Sequence, residues 1–353
     1  MISRYTLADG YTISRIVKGG WHLAGDHGDI DPQQAVKDMA LFVDAGITTF
    51  DCADIYTGVE ELIGRFRRTY PTLASRVQVH TKFVPDLSDL DSLDGRHVER
   101  IIDRSLQRLG MECLDMVQFH WWDYSVPRYV EAALELERLR RAGKIAHLGV
   151  TNFDKPHLDR IVAAGVQVVS HQLQYSLIDD RPAAAMIDYC RSHGIVVLCY
   201  GTVAGGFLSE RWLGKPEPRR GGGPEGITNR SLIKYQLIIE DFGGWHLFQQ
   251  LLTVLARIAT RHHTDVASVA SHVMLSRPQV AAVIVGATNT SHLQAHGQVA
   301  SLQLDADDLA AIAAVTRRRQ GPQGDVYALE RDRTGRHGQI MKYELNSSNT
   351  GSG

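Results

Sequence analysis

One pattern constrains this chain more than any other: short apolar runs alternate with helical stretches along most of its length. The runs are ISRIVKGGW (13–21), TTFDC (48–52), VQVHTKF (77–83), LDMVQFH (114–120), IAHLGVTN (145–152), VQVVSHQLQ (166–174), IVVLCYG (195–201) and VAAVIVGA (280–287). Several are continuously apolar rather than alternating, which is how strands buried on both faces of a parallel sheet read. Helix signals lie between them. DPQQAVKDMALFVDAG offers Asp31 as N-cap, Pro32 at the first helical position, Gln34 at the capping-box position and Gly46 as terminator. VPRYVEAALELERLRRAGK places Arg140 and Arg141 near its end and Gly143 just past it. This alternation predicts an α/β fold, a (β/α)8 TIM barrel. The alternative is a doubly wound open sheet, but no G-x-G-x-x-G follows the first strand.

Three regions depart from the repeat. RYTLADGYTIS reads as an N-terminal hairpin turning at Asp9-Gly10, a cap over residues 1–13 that plugs the barrel floor. The stretch 201–245 follows the seventh strand and is too long and glycine-rich for an ordinary connection, so it reads as a functional loop. Residues 316–345 form a charged C-terminal extension without clear periodicity. Residues 1–345 are therefore expected to be one barrel domain. The ending NSSNTGSG (346–353) reads as a disordered tail or a cloning remnant.

Composition narrows the function classes. A chain of 353 residues with 44% hydrophobic content can bury a large core, and a formal net charge of -2 carries no nucleic-acid footprint. No apolar run reaches the length of a membrane span, and the N-terminus lacks the apolar segment of a signal peptide. The four cysteines are scattered without a CxxC pair, so buried free thiols and a cytoplasmic setting are expected.

In such barrels, chemistry gathers where strands end and βα loops begin. The polar residues there are Asp51 and Tyr56 after the second strand, Lys82 on the third, His120 on the fourth, Thr151 and Asn152 on the fifth, Gln172 on the sixth and Tyr200 on the seventh. A phenol with pKa near 10 is a poor proton donor at neutral pH, and a neighbouring Lys82 cation is expected to lower it. Asp51 would hold that ammonium charged despite burial. His120 would hydrogen-bond a substrate oxygen. This set is a general acid/base site for a carbonyl oxygen, with the electron pair supplied by a hydride cofactor.

These residues stand in motifs that resemble the aldo-keto reductase family. GITTFDCADIYTGVEELIGRF is similar to its first signature, HTKF to its lysine strand and QFHWWD to its histidine strand. LGVTNF, HQLQYS, CYGTVAGGFLS and VIVGATNTSHL follow in the family's order, and the resemblance spans residues 13–315. It implies carbonyl–alcohol interconversion with NAD(P)(H), with Tyr56 as proton donor beside Asp51, Lys82 and His120. A histidine at position 120, where relatives that reduce steroid C=C bonds carry an acid, implies a carbonyl or alcohol enzyme. By the same resemblance, Gly20, Thr151, Asn152, Gln172, Tyr200, Gly201, Thr202, Gly286, Ala287, Thr288 and Asn289 would contact the cofactor. Trp21 and Trp121 would line the substrate pocket. Residues 321–333 read either as a plain surface strap or as a C-terminal loop that would close over the substrate through Tyr327, Arg331 or Arg333.

Two departures stand out. His292 occupies the place of an arginine or glutamine, and Ala295 and His296 replace the pair beside the adenine. With Arg219, Arg220 or Arg230 as substitutes for the missing cation, NADP(H) is expected only slightly ahead of NAD(H). His292 and His296 have metal-ligand spacing but no third ligand, so no metal is expected. The charged C-terminal extension is the second departure. The expected partner is a small carbonyl or alcohol, with no nucleic acid or membrane. The competing classes are a cofactor-binding regulatory protein of the same fold and a metal-dependent barrel lyase.

Overall fold

The computed structural model describes residues 2–24, 30–221 and 226–346. Strands β1 (Arg4–Ala8) and β2 (Tyr11–Ser14) form an antiparallel hairpin. Eight parallel strands then close into a barrel: β3 (Ile16–Gly19), β4 (Thr49–Asp51), β5 (Gln78–Phe83), β6 (Leu114–Phe119), β7 (Ile145–Thr151), β8 (Val168–Gln174), β9 (Val196–Tyr200) and β12 (Val280–Gly286). Each of the eight apolar runs supplies one strand, and β12 closes the ring on β3 with Val283 opposite Ile16. Two further strands of two residues each, β10 (Arg219–Arg220) and β11 (Gly226–Ile227), pair outside the barrel.

The hairpin closes the floor. Leu7 and Ile13 pack against Val17, Met116, Val196 and Leu198 at the barrel's lower end. The Tyr11 hydroxyl lies 3.0 Å from His80 Nε2 inside it. The helices form the outer layer, and their termini follow the sequence signals with one correction. Asp31 accepts from the Gln33 and Gln34 backbone N–H groups, and Gly46 takes a φ of 91° just past the helix Pro32–Asp44. Gln34, however, does not complete a capping box: its side-chain amide donates forward to Asp38 at 2.8 Å.

The long loop after β9 is not structureless. It contains the helix Arg230–Phe242, capped by the Asn229 side chain, which leads directly into the helix Gly244–Arg261. Tyr235 is the reason this insert packs against the barrel mouth. A Cβ on Gly201 would sit 2.5 Å from its hydroxyl, and one on Gly205 would sit 2.7 Å from its ring. Both glycines hold positive φ, so the turn after β9 is shaped around that phenol.

Beyond the helix Ala306–Thr316, the extension runs back over the mouth of the barrel as a strap. Glu330 forms a bidentate pair with Arg181 at 2.9 and 3.0 Å. Arg331 donates to the carbonyls of Trp121 and Asn152 at 3.0 and 2.8 Å. Arg333 reaches outward to Asp123. Asp86 accepts from the backbone N–H groups of Leu345 and Asn346. Asn346, assigned to the tail from sequence, is buried and donates to the Val84 carbonyl at 2.7 Å. The remainder of that tail, 347–353, lies outside the described residues.

Candidate active site

The site is built around the end of β4. Lys82 Nζ donates to Asp51 Oδ2 at 2.7 Å and to the Cys52 carbonyl at 2.8 Å, with both side chains 5% exposed. The second Asp51 oxygen accepts from the side-chain amides of Gln172 at 2.6 Å and Gln118 at 3.2 Å. The carboxylate is therefore satisfied on both oxygens, which is what a buried charge needs to stay charged. Burial pulls the Lys82 ammonium's pKa down, but Asp51 and Tyr56 outweigh it and the net shift is upward.

Tyr56 stands on the loop after β4, with Lys82 Nζ 4.8 Å from its ring centroid and the Trp21 ring edge-on at 5.0 Å. Its pKa corrects the sequence expectation. Lys82 does lower it, but burial is the larger effect and raises the phenol above its ordinary value of 10.0. The hydroxyl thus keeps its proton throughout the neutral range.

His120 follows β6. Its Nδ1 lies 3.1 Å from the Thr151 carbonyl, which can only accept, so Nδ1 carries the proton. Burial first, and Arg331 second, push this imidazole down to about 3, so it is neutral at pH 7. Its Nε2 then presents a bare lone pair, buried and without a hydrogen-bond partner among the described residues. Trp122 and Tyr327 stand edge-on to the ring at 4.4 and 5.5 Å.

These groups share one cavity of about 890 Å³, lined by Trp21, Asp51, Tyr56, Lys82, His120, Trp122, Thr151, Asn152, Gln172 and Tyr200 around the strand ends. It continues past Gly201, Gly205 and Gly206 to Gly286, Thr288, His292 and His296. Asn152 holds a left-handed φ of 60° and accepts a hydrogen bond from the Tyr200 hydroxyl at 2.9 Å. The Thr151 hydroxyl donates to the Gln172 carbonyl at 3.2 Å.

Several expected residues stand elsewhere. Trp121 is fully buried, with its indole N–H spent on the Asp123 and Val126 carbonyls, and Trp122 takes the wall position instead. Gly20 packs on Asp51, where a Cβ would meet the carbonyl oxygen at 2.7 Å, while its neighbours Gly19 and Trp21 face the cavity. Thr202 is buried with its hydroxyl 3.3 Å from Ser271. Ala287 and Asn289 lie off the wall, and Asn289 accepts from the Ser291 N–H instead. Gln172 lines the cavity but spends its amide on Asp51. Of the loop arginines, Arg220 is held by Glu240 and Gln236, and Arg219 is exposed. Arg230 lines the cavity with its guanidinium 5.8 Å from the Trp21 ring. Arg211, Lys234 and Tyr235 also line it, and the sequence reading did not name them. Their signal lay in an insert whose path no local pattern reveals. Among the described residues, no group of three or more His, Cys, Asp or Glu is placed to hold a metal ion.

The cavity fits a dinucleotide on two grounds. It is large, and its lining runs from Tyr56 and His120 to Gly286, Thr288 and His296. Its glycine-rich wall lets backbone approach a ligand closely. The buried, unpartnered His120 Nε2 is left for a substrate oxygen.

Comparison with known proteins supports the same architecture. The family model described as "Aldo/keto reductase family" matches residues 15–317. Aldo-keto reductase YhdN of Bacillus subtilis (strain 168) is 26% identical over 316 residues, covering 86% of this chain and 90% of that protein. Flagellar radial spoke protein 5 of Chlamydomonas reinhardtii is 27% identical over 287 residues, covering 65% of this chain; the match spans 53% of that longer protein. Among solved structures, the glycerol dehydrogenase AKR11B4 from Gluconobacter oxydans superposes with a TM-score of 0.74 at 23% identity, covering 92% of this chain and 97% of that one.

Proposed function

The chain belongs to the aldo/keto reductase family, and from that premise we propose that it is an NAD(P)(H)-dependent oxidoreductase interconverting a carbonyl and an alcohol. The observation that carries this reading is the convergence of Tyr56, Lys82, Asp51 and His120 on one cavity wall. When bound, the nicotinamide supplies or accepts a hydride. The chain's own residues manage the proton and the geometry.

In this reading Tyr56 donates its proton to the carbonyl oxygen as negative charge develops there. Lys82 stabilises the phenolate left behind, and Asp51, held by Gln118 and Gln172, keeps the ammonium charged and aimed. His120 accepts a hydrogen bond at Nε2, which suits a substrate bearing a hydroxyl next to the reacting carbon, or a lactol. Asn152, Thr151 and Tyr200 would hold the nicotinamide end, and Gly201, Gly286 and Thr288, on the same cavity wall, would hold the rest of the dinucleotide. Arg211 and Arg230 are cations on the same wall for a phosphate, and they keep NADP(H) narrowly ahead of NAD(H). Residues 1–345 act as one domain, with the hairpin closing the floor and the strap closing the mouth.

The test is a fluorescence titration with NADPH and with NADH, followed by a turnover screen on aldehydes, ketones, sugars and alcohols. Saturable binding with turnover of at least one carbonyl–alcohol pair supports the reading. Tight binding without turnover across the screen favours a cofactor-binding regulatory protein instead.

A further inference from the structure

One cation in the cavity has no role in the proton relay. Lys234, on the helix Arg230–Phe242, lines the same cavity as Tyr56 and His120. Its Nζ stands 5.2 Å from the Tyr200 ring centroid, 5.6 Å from that of Tyr327 and 5.7 Å from that of Tyr235. Among the described residues it forms no ion pair with a carboxylate within 4.0 Å. The nearby acids are already engaged. Both oxygens of Glu330 accept from Arg181, and both oxygens of Asp179 do so as well, one of them also taking the Gln174 amide.

The surroundings explain how such a cation persists. Three phenol faces stabilise an ammonium electrostatically without consuming its N–H groups. The cluster of Asp179, Arg181, Glu330 and Lys234 is neutral in formal charge, so Lys234 balances it at a distance rather than by contact. The ammonium therefore retains donors toward the cavity. The cage lies at the reacting end: Tyr200 is bonded to Asn152, and the Tyr327 ring stands 5.5 Å from His120.

We propose that Lys234 forms a recognition site for an anionic group of the substrate, a carboxylate or phosphate carried on the same small molecule as the reacting carbonyl. This rests on the oxidoreductase reading of the cavity and adds a substrate class to it. An anion there would receive charge-assisted hydrogen bonds in a partly dry site, where such bonds are strong. A neutral substrate of the same size gains nothing from Lys234. The other source of an anion is the cofactor's pyrophosphate, and cofactor binding distinguishes the two.

The test compares wild type with Lys234→Met and Lys234→Arg on 4-carboxybenzaldehyde and 4-nitrobenzaldehyde, rings of similar shape of which only the first is an anion. In Lys234→Met, kcat/KM for the carboxylate substrate should fall roughly 10- to 100-fold, the range for a hydrogen bond to a charged group. The nitro compound and dinucleotide affinity should change by less than about threefold, and Lys234→Arg should recover part of the loss. Equal loss on both aldehydes, no loss on either, or weakened dinucleotide binding with the preference intact would overturn the proposal. Calorimetric binding of benzoate to the dinucleotide-loaded protein provides a readout without turnover. If no carbonyl–alcohol pair in the wider turnover screen reacts but benzoate binds in a Lys234-dependent way, the oxidoreductase reading fails and the anion site stands. If benzoate binds equally to wild type and Lys234→Met, or to neither, the anion site fails.

Discussion

Asp51 is where the local physics of the site is most exposed. A buried carboxylate costs several kcal/mol unless its oxygens are paired. Here Lys82 occupies one oxygen and two glutamine amides share the other. The side chain is fixed by this network, and Lys82 is fixed by it in turn. Asp51→Asn keeps the shape but leaves Lys82 buried beside a neutral group. The variant should lose about 3–5 kcal/mol of unfolding free energy, the range for breaking a buried pair, in urea denaturation monitored by circular dichroism. A loss below about 1 kcal/mol would show that the network is not under the constraint described. Glu60 carries a similar lesson. It stands in the first turn of the helix Val59–Thr69, where negative charge suits the dipole. In the structure it is also a buried acceptor for the Thr81 hydroxyl at 2.6 Å and lies 3.4 Å from Arg108.

At the scale of elements, the strap is the part that sequence reading resolved least. The eight strands were legible because burial on both faces writes a continuous apolar run. The hairpin was legible because Asp-Gly between two short strands marks a turn. The strap writes no such pattern. It docks by individual polar contacts, Glu330 to Arg181, Arg331 to two carbonyls and Asn346 to Val84, each between residues far apart in sequence. The same holds for Lys234, whose helix lies in an insert that reads as a loop. Among candidate site residues, those on strand ends were recoverable, because their position follows from the strand. Trp121 was expected on the wall that Trp122 takes, because one residue of register decides which indole faces inward. The strap's dependence on its ion pair is testable. Arg181→Met leaves Glu330, whose side chain is 0% exposed, buried without its partner. Amide exchange across residues 325–346 should accelerate at least tenfold in the variant, while the barrel strands stay protected. Unchanged exchange there would mean that other contacts hold the strap.

For the molecule as a whole, the barrel interior and mouth hold imidazoles that fold in the neutral state. Burial pushes His80 and His296 down to about 4 and His120 and His171 down to about 3, from an ordinary value of 6.5. Below pH 6.5 the unfolded chain binds protons at these positions and the folded chain does not. Stability should therefore be fully present above 6.5 and should fall as pH drops toward 4. Asp54 works in the opposite direction. Burial, with Glu60 adding, raises it to about 7, so it favours the folded state at lower pH. Glu60 and Asp115 are raised by burial as well, while burial lowers His97, His147 and His272, so seven imidazoles against three carboxyls set the sign. Thermal unfolding in matched ionic strength should show Tm falling between pH 7 and pH 5. A flat or rising Tm over that interval would contradict the neutral-imidazole interior.

The proposed chemistry turns on proton donation by Tyr56. Its most direct test is Tyr56→Phe, which keeps the ring against Trp21 and removes only the hydroxyl. Steady-state turnover of a substrate identified with the wild type should fall by about 10²- to 10⁴-fold, the usual contribution of a general acid. Dinucleotide affinity by fluorescence titration should stay within about threefold. Retention of wild-type turnover in that variant would rule out Tyr56 as the proton donor.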